Sequence, residues 1–273
     1  MEQQALEKRY IHGYQEVEQE RLREQALVIE KPIYDALDFN SVTHLLEIGS
    51  GVGAQTEVLL RRFPHLQITG VEYEAKQIQK AIENMHRLGY SSDQVNFIQQ
   101  DAHQLDLPKQ YDGAFVCWVL EHVGNPLQVL KSMKPFLKSG APVSITEVFN
   151  ASFYIYPVIP AVMHYWQVYN EFQRSLGGNP DIGAQIGNLL DQAGYQKISL
   201  RADGFHLDQR DRVQKDRVFD YWKNLMSSGA PLLISEGLLK PEEVLAMQEG
   251  LDVLKSMEDS IFYYSFIQAS AIC

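Results

Sequence analysis

Three glycines and two acidic residues occupy the positions in this sequence that are best suited to binding chemistry. Gly49, Gly51 and Gly53 lie in "HLLEIGSGVGAQTEVL", between an apolar stretch and a helical pattern. Glycine permits a tight turn and close ligand approach, and the N-terminus of the next helix directs free N–H groups toward a ligand. Glu72 and Asp101 follow the next two apolar stretches. The pattern predicts a site for a nucleotide-like ligand.

The glycine loop alone leaves the identity of that ligand open. The run "GSGVGA" satisfies the dinucleotide pattern G-x-G-x-x-G/A, and Glu72 follows at about the distance of a ribose-binding acid. An NAD(P)-dependent oxidoreductase is therefore one alternative, although no Tyr-x-x-x-Lys pair follows in the sequence. A catalytically silent binding protein is another, although the intact glycines and acids argue against it.

The composition limits the partners that the protein can have. The 24 lysines and arginines against 35 acidic residues give a net charge of −11, which repels nucleic acid and anionic membranes. The two cysteines, Cys117 and Cys273, form neither a disulfide framework nor a metal motif, so we expect no metal site. The charged N-terminus and the absence of a long apolar run predict a cytoplasmic protein.

Short apolar segments alternate with helical patterns from Thr43 onward. The segments that read as strands are 44–49, 67–72, 95–101, 113–119 and 142–148, and those that read as helices are 54–63, 75–88 and 125–137. This alternation predicts a Rossmann-like, doubly wound α/β fold with a mostly parallel sheet, here of seven strands. Ligands of such sheets bind beyond the carboxyl ends of the strands.

We expect one domain over residues 1–273. A helical N-terminal cap (1–42) precedes a cofactor-binding core (43–148), an aromatic lid insertion (149–181) and C-terminal helices with closing strands (182–273). Pro157 and Pro160 should interrupt any long helix in the aromatic insertion, which favours a lid.

Four motifs in order identify a resemblance. "LLEIGSGVG", "ITGVEYE", "FIQQDAHQL" and "YDGAFVCWVLEHV" resemble the class I S-adenosylmethionine-dependent methyltransferases, over about residues 43–148. The resemblance implies S-adenosyl-L-methionine as cofactor and S-adenosyl-L-homocysteine as product. It implies ribose binding by Glu72 and adenine recognition by Asp101 with Ala102. The core residues expected at the cofactor are Glu47, Gly49, Ser50, Gly51, Gly53, Glu72, Tyr73, Asp101, Ala102, Trp118 and Glu121.

The segment "YIHGYQEVEQERLREQ" resembles a cofactor-covering helix found in members of this class that modify small molecules. The resemblance places Tyr14, Arg21 and Gln25 at the cofactor, with Arg21 binding its carboxylate. An exposed ion pair between Glu18 and Arg21 is the alternative.

Methyl transfer is an in-line displacement, and a general base is needed only where the acceptor must lose a proton. His122 is the first candidate base for a phenol, or else it shapes the pocket. Glu147 could orient a cationic acceptor, accept a proton or bond to neighbouring backbone.

Aromatic residues of the insertion suit an apolar acceptor pocket, although such stripes also pack in cores. The residues expected at the substrate are His122, Tyr154, Tyr156, His164, Tyr165, Trp166, Tyr169 and Tyr221. We therefore expect methyl transfer to an oxygen or nitrogen of a small, partly apolar or aromatic metabolite. Exposed lid aromatics could also support a homodimer.

Overall fold

The structure is a computed structural model that describes residues 30–273. Tyr14, Arg21 and Gln25, which the sequence places at the cofactor, lie outside the described residues, as does most of the expected N-terminal cap. The described chain begins in helix α1 (Glu30–Tyr34), whose Ile33 and Tyr34 are buried.

Five parallel strands form the half of the sheet that carries the glycine loop. They are β1 (His44–Ile48), β2 (Gln67–Glu72), β3 (Val95–Gln99), β4 (Gly113–Cys117) and β5 (Pro142–Val148). Their order is β3-β2-β1-β4-β5, so the chain order reverses beside β1. The carboxyl ends of these strands therefore meet at one edge of the sheet, and a crevice for a ligand is expected there.

Helices connect these strands close to the predicted positions. They are α2 (Ala54–Arg62), α3 (Ala75–Arg87) and α4 (Pro126–Met133). The mostly parallel, Rossmann-like α/β fold expected from the sequence is thus confirmed.

The rest of the sheet is antiparallel. Strand β8 (Ile261–Ile272) pairs with β5 on one side and with β7 (Gln196–Leu207) on the other, while β6 (Tyr154–Tyr156) pairs with the first residues of β8. The sheet of the described residues has eight strands against the seven expected. The short β6, which lies in the aromatic insertion, had not been read as a strand.

The aromatic insertion contains a long helix, contrary to the expectation that its prolines would prevent one. Helix α5 spans Pro160–Ser175, and Pro160 occupies its first turn. A proline is tolerated there because the first N–H groups of a helix have no intrahelical acceptor. Tyr165, Trp166 and Tyr169 on this helix are buried, so this face packs in the interior.

Three further helices complete the fold: α6 (Ile186–Gln192), α7 (Arg212–Ser235) and α8 (Pro241–Ser256). Helices α5, α7 and α8 share one apolar cluster with the face of the sheet that carries Phe115 and Phe262. Helices α4 and α6 share the other cluster with Val116 and Ile145. Among the described residues, no helix has the length and apolar character needed to cross a membrane.

Gly204 in β7 provides a test of the antiparallel half of the sheet. Its φ is +155°, and a Cβ atom there would lie 2.0 Å from the Tyr264 carbonyl oxygen on β8. We expect Gly204→Ala to lower the free energy of unfolding by more than about 2 kcal/mol, since the clash is with backbone. Gly140→Ala, with φ +84° and no atom within 4 Å, should cost only about 1 kcal/mol. Chemical denaturation measures both losses, and equal losses would contradict the β7–β8 pairing.

Candidate functional site

The glycine loop folds back onto the end of β2. The backbone N–H groups of Gly49 and Ser50 both donate to the Val71 carbonyl oxygen, at 2.8 and 3.1 Å. Gly49, Gly51 and Gly53 have φ angles of +71°, +50° and +77°. L-residues with side chains rarely adopt this left-handed region, so the turn requires glycine at these positions.

The three glycines differ in what surrounds them. A Cβ atom on Gly49 would lie 2.4 Å from a methyl of Val119, so the loop packs closely against the segment after β4. A Cβ atom on Gly51 would meet nothing within 4 Å, so this position borders open space where a ligand can approach. Gly70 in β2 also permits close packing, because a Cβ atom there would lie 2.8 Å from Ser50 Oγ. The sequence interpretation missed Gly70, although a glycine inside a strand often indicates such an approach.

Glu72 joins the glycine loop to the end of β2 through its carboxylate. Its Oε2 accepts from Gly51 N–H at 3.0 Å, and its Oε1 accepts from Tyr73 N–H and Glu74 N–H at 2.8 and 2.9 Å. Burial raises the pKa of Glu72, while the three N–H donors oppose that rise. A carboxylate has about four acceptor positions. The arrangement therefore holds Glu72 rigidly and leaves little acceptor capacity, enough for about one ribose hydroxyl.

Glu47 lies in the buried interior at the end of β1. It is 2% exposed and accepts a hydrogen bond from Thr56 Oγ1 at 2.6 Å. Burial raises its pKa to about 8, partly opposed by the Thr56 hydrogen bond. Glu47 thus connects β1 to α2, beneath the loop that carries the glycines.

Asp101, beyond β3, has an exposed carboxylate that a neighbouring histidine orients. Asp101 Oδ1 accepts from His103 N–H at 2.9 Å and lies 2.6 Å from His103 Nδ1. The Ala102 carbonyl oxygen accepts from Ser132 Oγ on α4, and Gln128 Nε2 donates to the His103 carbonyl oxygen at 3.1 Å. The orienting role of His103 is a further feature that the sequence interpretation missed.

Glu147 organises the segment that follows β4. It is fully buried at the end of β5, and its carboxylate accepts from Val119, Leu120 and Glu121 N–H at 3.0, 2.8 and 3.3 Å. Burial, with Glu121 as a neighbour, raises its pKa to about 8, while the three N–H donors lower it. Of the three roles considered for Glu147, these contacts support bonding to neighbouring backbone.

Trp118 begins this segment in a strained backbone conformation. Its φ is +57°, which is rare for a residue with a side chain, and its N–H donates to the Thr146 carbonyl oxygen at 2.9 Å. Such strain persists where the surrounding structure enforces it, and it concentrates at functional sites.

Glu121 and His122 lie together beyond Trp118. Glu121 Oε1 is 3.6 Å from His122 Nε2, and Glu121 Oε2 accepts from Gln173 Nε2 at 2.8 Å. Gln173 Nε2 is also 3.5 Å from His122 Nδ1. The structure thus joins two predicted site residues to a glutamine at the end of α5 that is 52 positions distant in sequence from Glu121.

The residues expected at the substrate divide into a buried and an exposed group. Tyr165 donates from its hydroxyl to the Met226 carbonyl oxygen, Trp166 Nε1 donates to the Asn150 carbonyl oxygen at 3.1 Å, and Tyr169 stacks on Trp166 at 5.4 Å. Tyr221 on α7 is buried beside Trp222.

The exposed group lies on the outer surface of the same elements. Tyr154 and Tyr156 on β6 are about half exposed. His164 on α5 is exposed and lies 3.4 Å from a carboxylate oxygen of Glu243 on α8. The structure therefore does not bring these three residues into the buried aromatic group.

Two buried polar atoms test whether the site fits a polar cofactor. Ser50 Oγ in the glycine loop and Trp118 Nε1 beyond β4 have no hydrogen-bond partner among the described residues. Buried polar atoms are normally partnered, so each of these calls for a ligand or water. Together with the open space at Gly51, they show that the glycine loop and the segment after β4 have polar capacity for a ligand such as S-adenosylmethionine.

The raised pKa of Glu47 predicts a pH-dependent stability. With a folded pKa of about 8 against an ordinary value of 4.5, the folded chain keeps a proton that the unfolded chain loses. The stability therefore falls as the pH rises between these two values. The difference in melting temperature between Glu47→Gln and wild type should therefore shift in favour of the variant by about 3 °C or more when the pH is raised from about 5 to about 9.

The control for this experiment is Glu83→Gln, which changes an exposed carboxyl on α3. Calorimetric unfolding at both pH values gives the comparison. A gain that is the same for the two variants would contradict the burial of an acidic proton at Glu47.

Comparison with known proteins relates the glycine loop and its strands to methyltransferases. Residues 46–143 match the model of a family described as "Methyltransferase domain". Ribosomal RNA small subunit methyltransferase G of Onion yellows phytoplasma is 31% identical over 41% of this chain and 53% of its own length. Malonyl-[acyl-carrier protein] O-methyltransferase of Priestia megaterium is 34% identical over 27% of this chain and 25% of its own length. The chain therefore spans about half or less of the length of these relatives.

A solved structure shows the same fold over most of the chain. Phosphoethanolamine N-methyltransferase 2 of Haemonchus contortus, in complex with S-adenosylhomocysteine, has a TM-score of 0.56 at 16% identity. The similarity covers 91% of this chain and 52% of the other. Residues 46–143 therefore match a methyltransferase domain, and the strand order and the glycine loop with its acids agree with that match.

Proposed function

We propose that this protein transfers a methyl group from S-adenosylmethionine to an oxygen or nitrogen of a small, partly apolar or aromatic metabolite. One arrangement carries the proposal. The glycine loop packs against Val119, and the same segment continues to Glu121, which Gln173 connects to the buried face of α5. The cofactor loop and a buried aromatic group thus adjoin the same short segment.

The cofactor-binding residues act largely through the backbone. The loop at Gly51 lets the amino-acid part of the cofactor approach, Glu72 accepts from the ribose, and Asp101 recognises the adenine. The bound cofactor supplies a methyl group on a positively charged sulfur and leaves as S-adenosylhomocysteine.

His122 and Glu121 are the groups that take up a proton where the acceptor must lose one. His122 is partly exposed, and its Nε2 lies 3.6 Å from the Glu121 carboxylate. An imidazole ring nitrogen can take a proton from the acceptor, and the Glu121 carboxylate lies beside the ring. We assign no proton transfer to Glu147, because its carboxylate is engaged by three backbone N–H groups.

A small acceptor is favoured over RNA by charge and burial. The chain carries a net charge of −11, which opposes binding to a phosphate backbone. The aromatic residues on the inner face of α5, Tyr165, Trp166 and Tyr169, are buried rather than displayed on a basic surface. One relative acts on ribosomal RNA by name, so RNA belongs among the acceptors that an assay must include.

Glu72 provides a test of the cofactor assignment. We expect Glu72→Gln to weaken S-adenosylmethionine binding by roughly tenfold to a hundredfold, because a hydrogen bond to a charged group contributes about 1.5–3 kcal/mol. Isothermal titration calorimetry measures the dissociation constant. Glu83→Gln, an exposed carboxyl on α3, should bind as wild type does, and unchanged binding in Glu72→Gln would overturn the assignment.

Radiolabelled S-adenosylmethionine provides the test of the reaction. We expect label in small phenols or amines when wild-type protein is incubated with a panel of phenols, amines, carboxylates and ribosomal RNA. His122→Asn should lower the rate roughly a hundredfold for phenols, which must lose a proton, with little change in cofactor affinity. Label in ribosomal RNA alone would contradict a small acceptor.

A further inference from the structure

The side-chain amide of Gln173 donates a hydrogen bond from its nitrogen, whereas its oxygen accepts none from the described residues. The side chain is 2% exposed, its Nε2 donates to Glu121 Oε2 at 2.8 Å, and its Oε1 has no partner among the described residues. The donation to a carboxylate fixes which amide atom is which, because an oxygen placed there would face another acceptor. The unpartnered atom is therefore a hydrogen-bond acceptor, and it requires a donor.

Aromatic residues lie on the same face of α5 as this polar group. Trp166, Tyr169 and Gln173 follow one another at three- and four-residue spacing, so they share one face of α5. Trp166 and Trp222 lie 5.6 Å apart, and Trp222 and Tyr264 lie 4.6 Å apart. We call this set, which consists of Trp166, Tyr169, Tyr221, Trp222 and Tyr264, the aromatic cluster.

Asn150 joins Tyr264 to the face of α5 that carries Gln173, because Trp166 Nε1 on that face donates to the Asn150 carbonyl oxygen at 3.1 Å. Burial raises the pKa of Tyr264 well above its ordinary value, and the fields of Glu121, Tyr221 and Tyr169 add to that rise. Its hydroxyl donates to Asn150 Oδ1 at 2.9 Å. Tyr264 and the Gln173–Glu121 pair are therefore both connected to α5 by hydrogen bonds.

The charges around this site are acidic. Glu121 and Glu147 lie next to each other, because Glu147 accepts from the Glu121 N–H. Arg174 follows Gln173 on α5, and Lys223 follows Trp222 on α7. Both pair with carboxylates other than Glu121: Arg174 with Asp181 at 2.6 Å and Lys223 with Asp252 at 2.5 Å. The buried Lys215 donates to the Met257 carbonyl oxygen and to Ser260. Among the described residues, only His122 can carry a positive charge beside Glu121.

We propose that Gln173 Oε1, the Glu121 carboxylate and the aromatic cluster together bind the ammonium group of an amine acceptor. An ammonium group has three donors, which suit a carboxylate and an amide oxygen, and its charge is attracted to the faces of aromatic rings. An acceptor that carries a carboxylate or phosphate at this end would meet the Glu121 carboxylate, and no lysine or arginine of residues 30–273 forms an ion pair with that carboxylate. The inference rests on the proposed function and narrows its acceptor to an amine.

A second unpartnered atom constrains the body of the acceptor. Trp222 Nε1 is buried and has no hydrogen-bond partner among the described residues. It is a donor, so it suits a neutral oxygen elsewhere on the amine.

Before methylation the ammonium gives one proton to Glu121 or His122, and the electron pair of that N–H bond stays on the nitrogen.

Three probes of similar shape and different charge test this site on protein loaded with S-adenosylhomocysteine. They are 2-phenylethylamine, 2-phenylethanol and 3-phenylpropionate, each titrated by calorimetry. We expect the amine to bind at least about tenfold more tightly than the other two. Glu121→Gln, which keeps the shape and removes the charge, should reduce that preference to less than about threefold and leave the alcohol unaffected.

The chain offers a matched control on the same helix. Gln167 Nε2 donates to the exposed Glu171 at 2.8 Å, the same distance that joins Gln173 to Glu121. Gln173→Leu should weaken the amine about fivefold or more, whereas Gln167→Leu and Glu171→Gln should bind all three probes as wild type does.

Cofactor binding separates the failure of this inference from the failure of the proposed function. If S-adenosylhomocysteine does not bind to wild type, the proposed function fails. If it binds equally to all variants, the fold and the cofactor site are intact, and the affinities of the three probes then test the ammonium site. Equal binding of the amine and the acid, an amine preference that survives Glu121→Gln, or no amine binding up to about 10 mM would overturn the ammonium site.

Discussion

The carboxyl group of Glu147 is the constraint on which the acceptor side of the site depends. It lies in the fully buried interior and accepts three consecutive backbone N–H groups from the segment after β4. Buried N–H groups without acceptors are costly, so this carboxyl determines the path of the segment. That path presents Glu121 and His122, and it brings Val119 against Gly49 of the cofactor loop. One buried side chain thus couples the two halves of the site.

The two halves are built by different means. The proposed cofactor half consists of backbone groups at the ends of parallel strands, with Glu72 bound to Gly51 N–H and Asp101 oriented by His103. The proposed acceptor half combines side chains from distant elements, brought together by α5, α7 and β8. A common fold can therefore keep its cofactor chemistry while the second half varies with the acceptor.

The sequence predicts the strands and the glycine turn of the first half well because their signals are local. Apolar stretches, glycines and terminal acids lie within a few residues of each other, and β2 and β5 were predicted at their observed bounds. The second half depends on contacts that no local pattern encodes. Gln173 lies 52 residues from Glu121, and nothing in its own neighbourhood marks it as a site residue.

Local sequence patterns could not predict two further features, the position of Pro160 in its helix and the role of Glu147. Pro160 breaks a helix when it is internal but is compatible with a first turn, and only tertiary packing decided which applied. Glu147 could serve three roles from its position at a strand end. Its burial and its three N–H donors, which favour the structural role, are visible only once β4 and β5 are paired.

The central claim is that the glycine loop holds S-adenosylmethionine rather than a dinucleotide, and a paired calorimetric titration of the wild-type protein tests it most directly. The account predicts that S-adenosylmethionine and S-adenosylhomocysteine bind with dissociation constants below about 100 μM and that NAD does not bind at about 1 mM. Binding of NAD with no binding of S-adenosylmethionine would contradict the account.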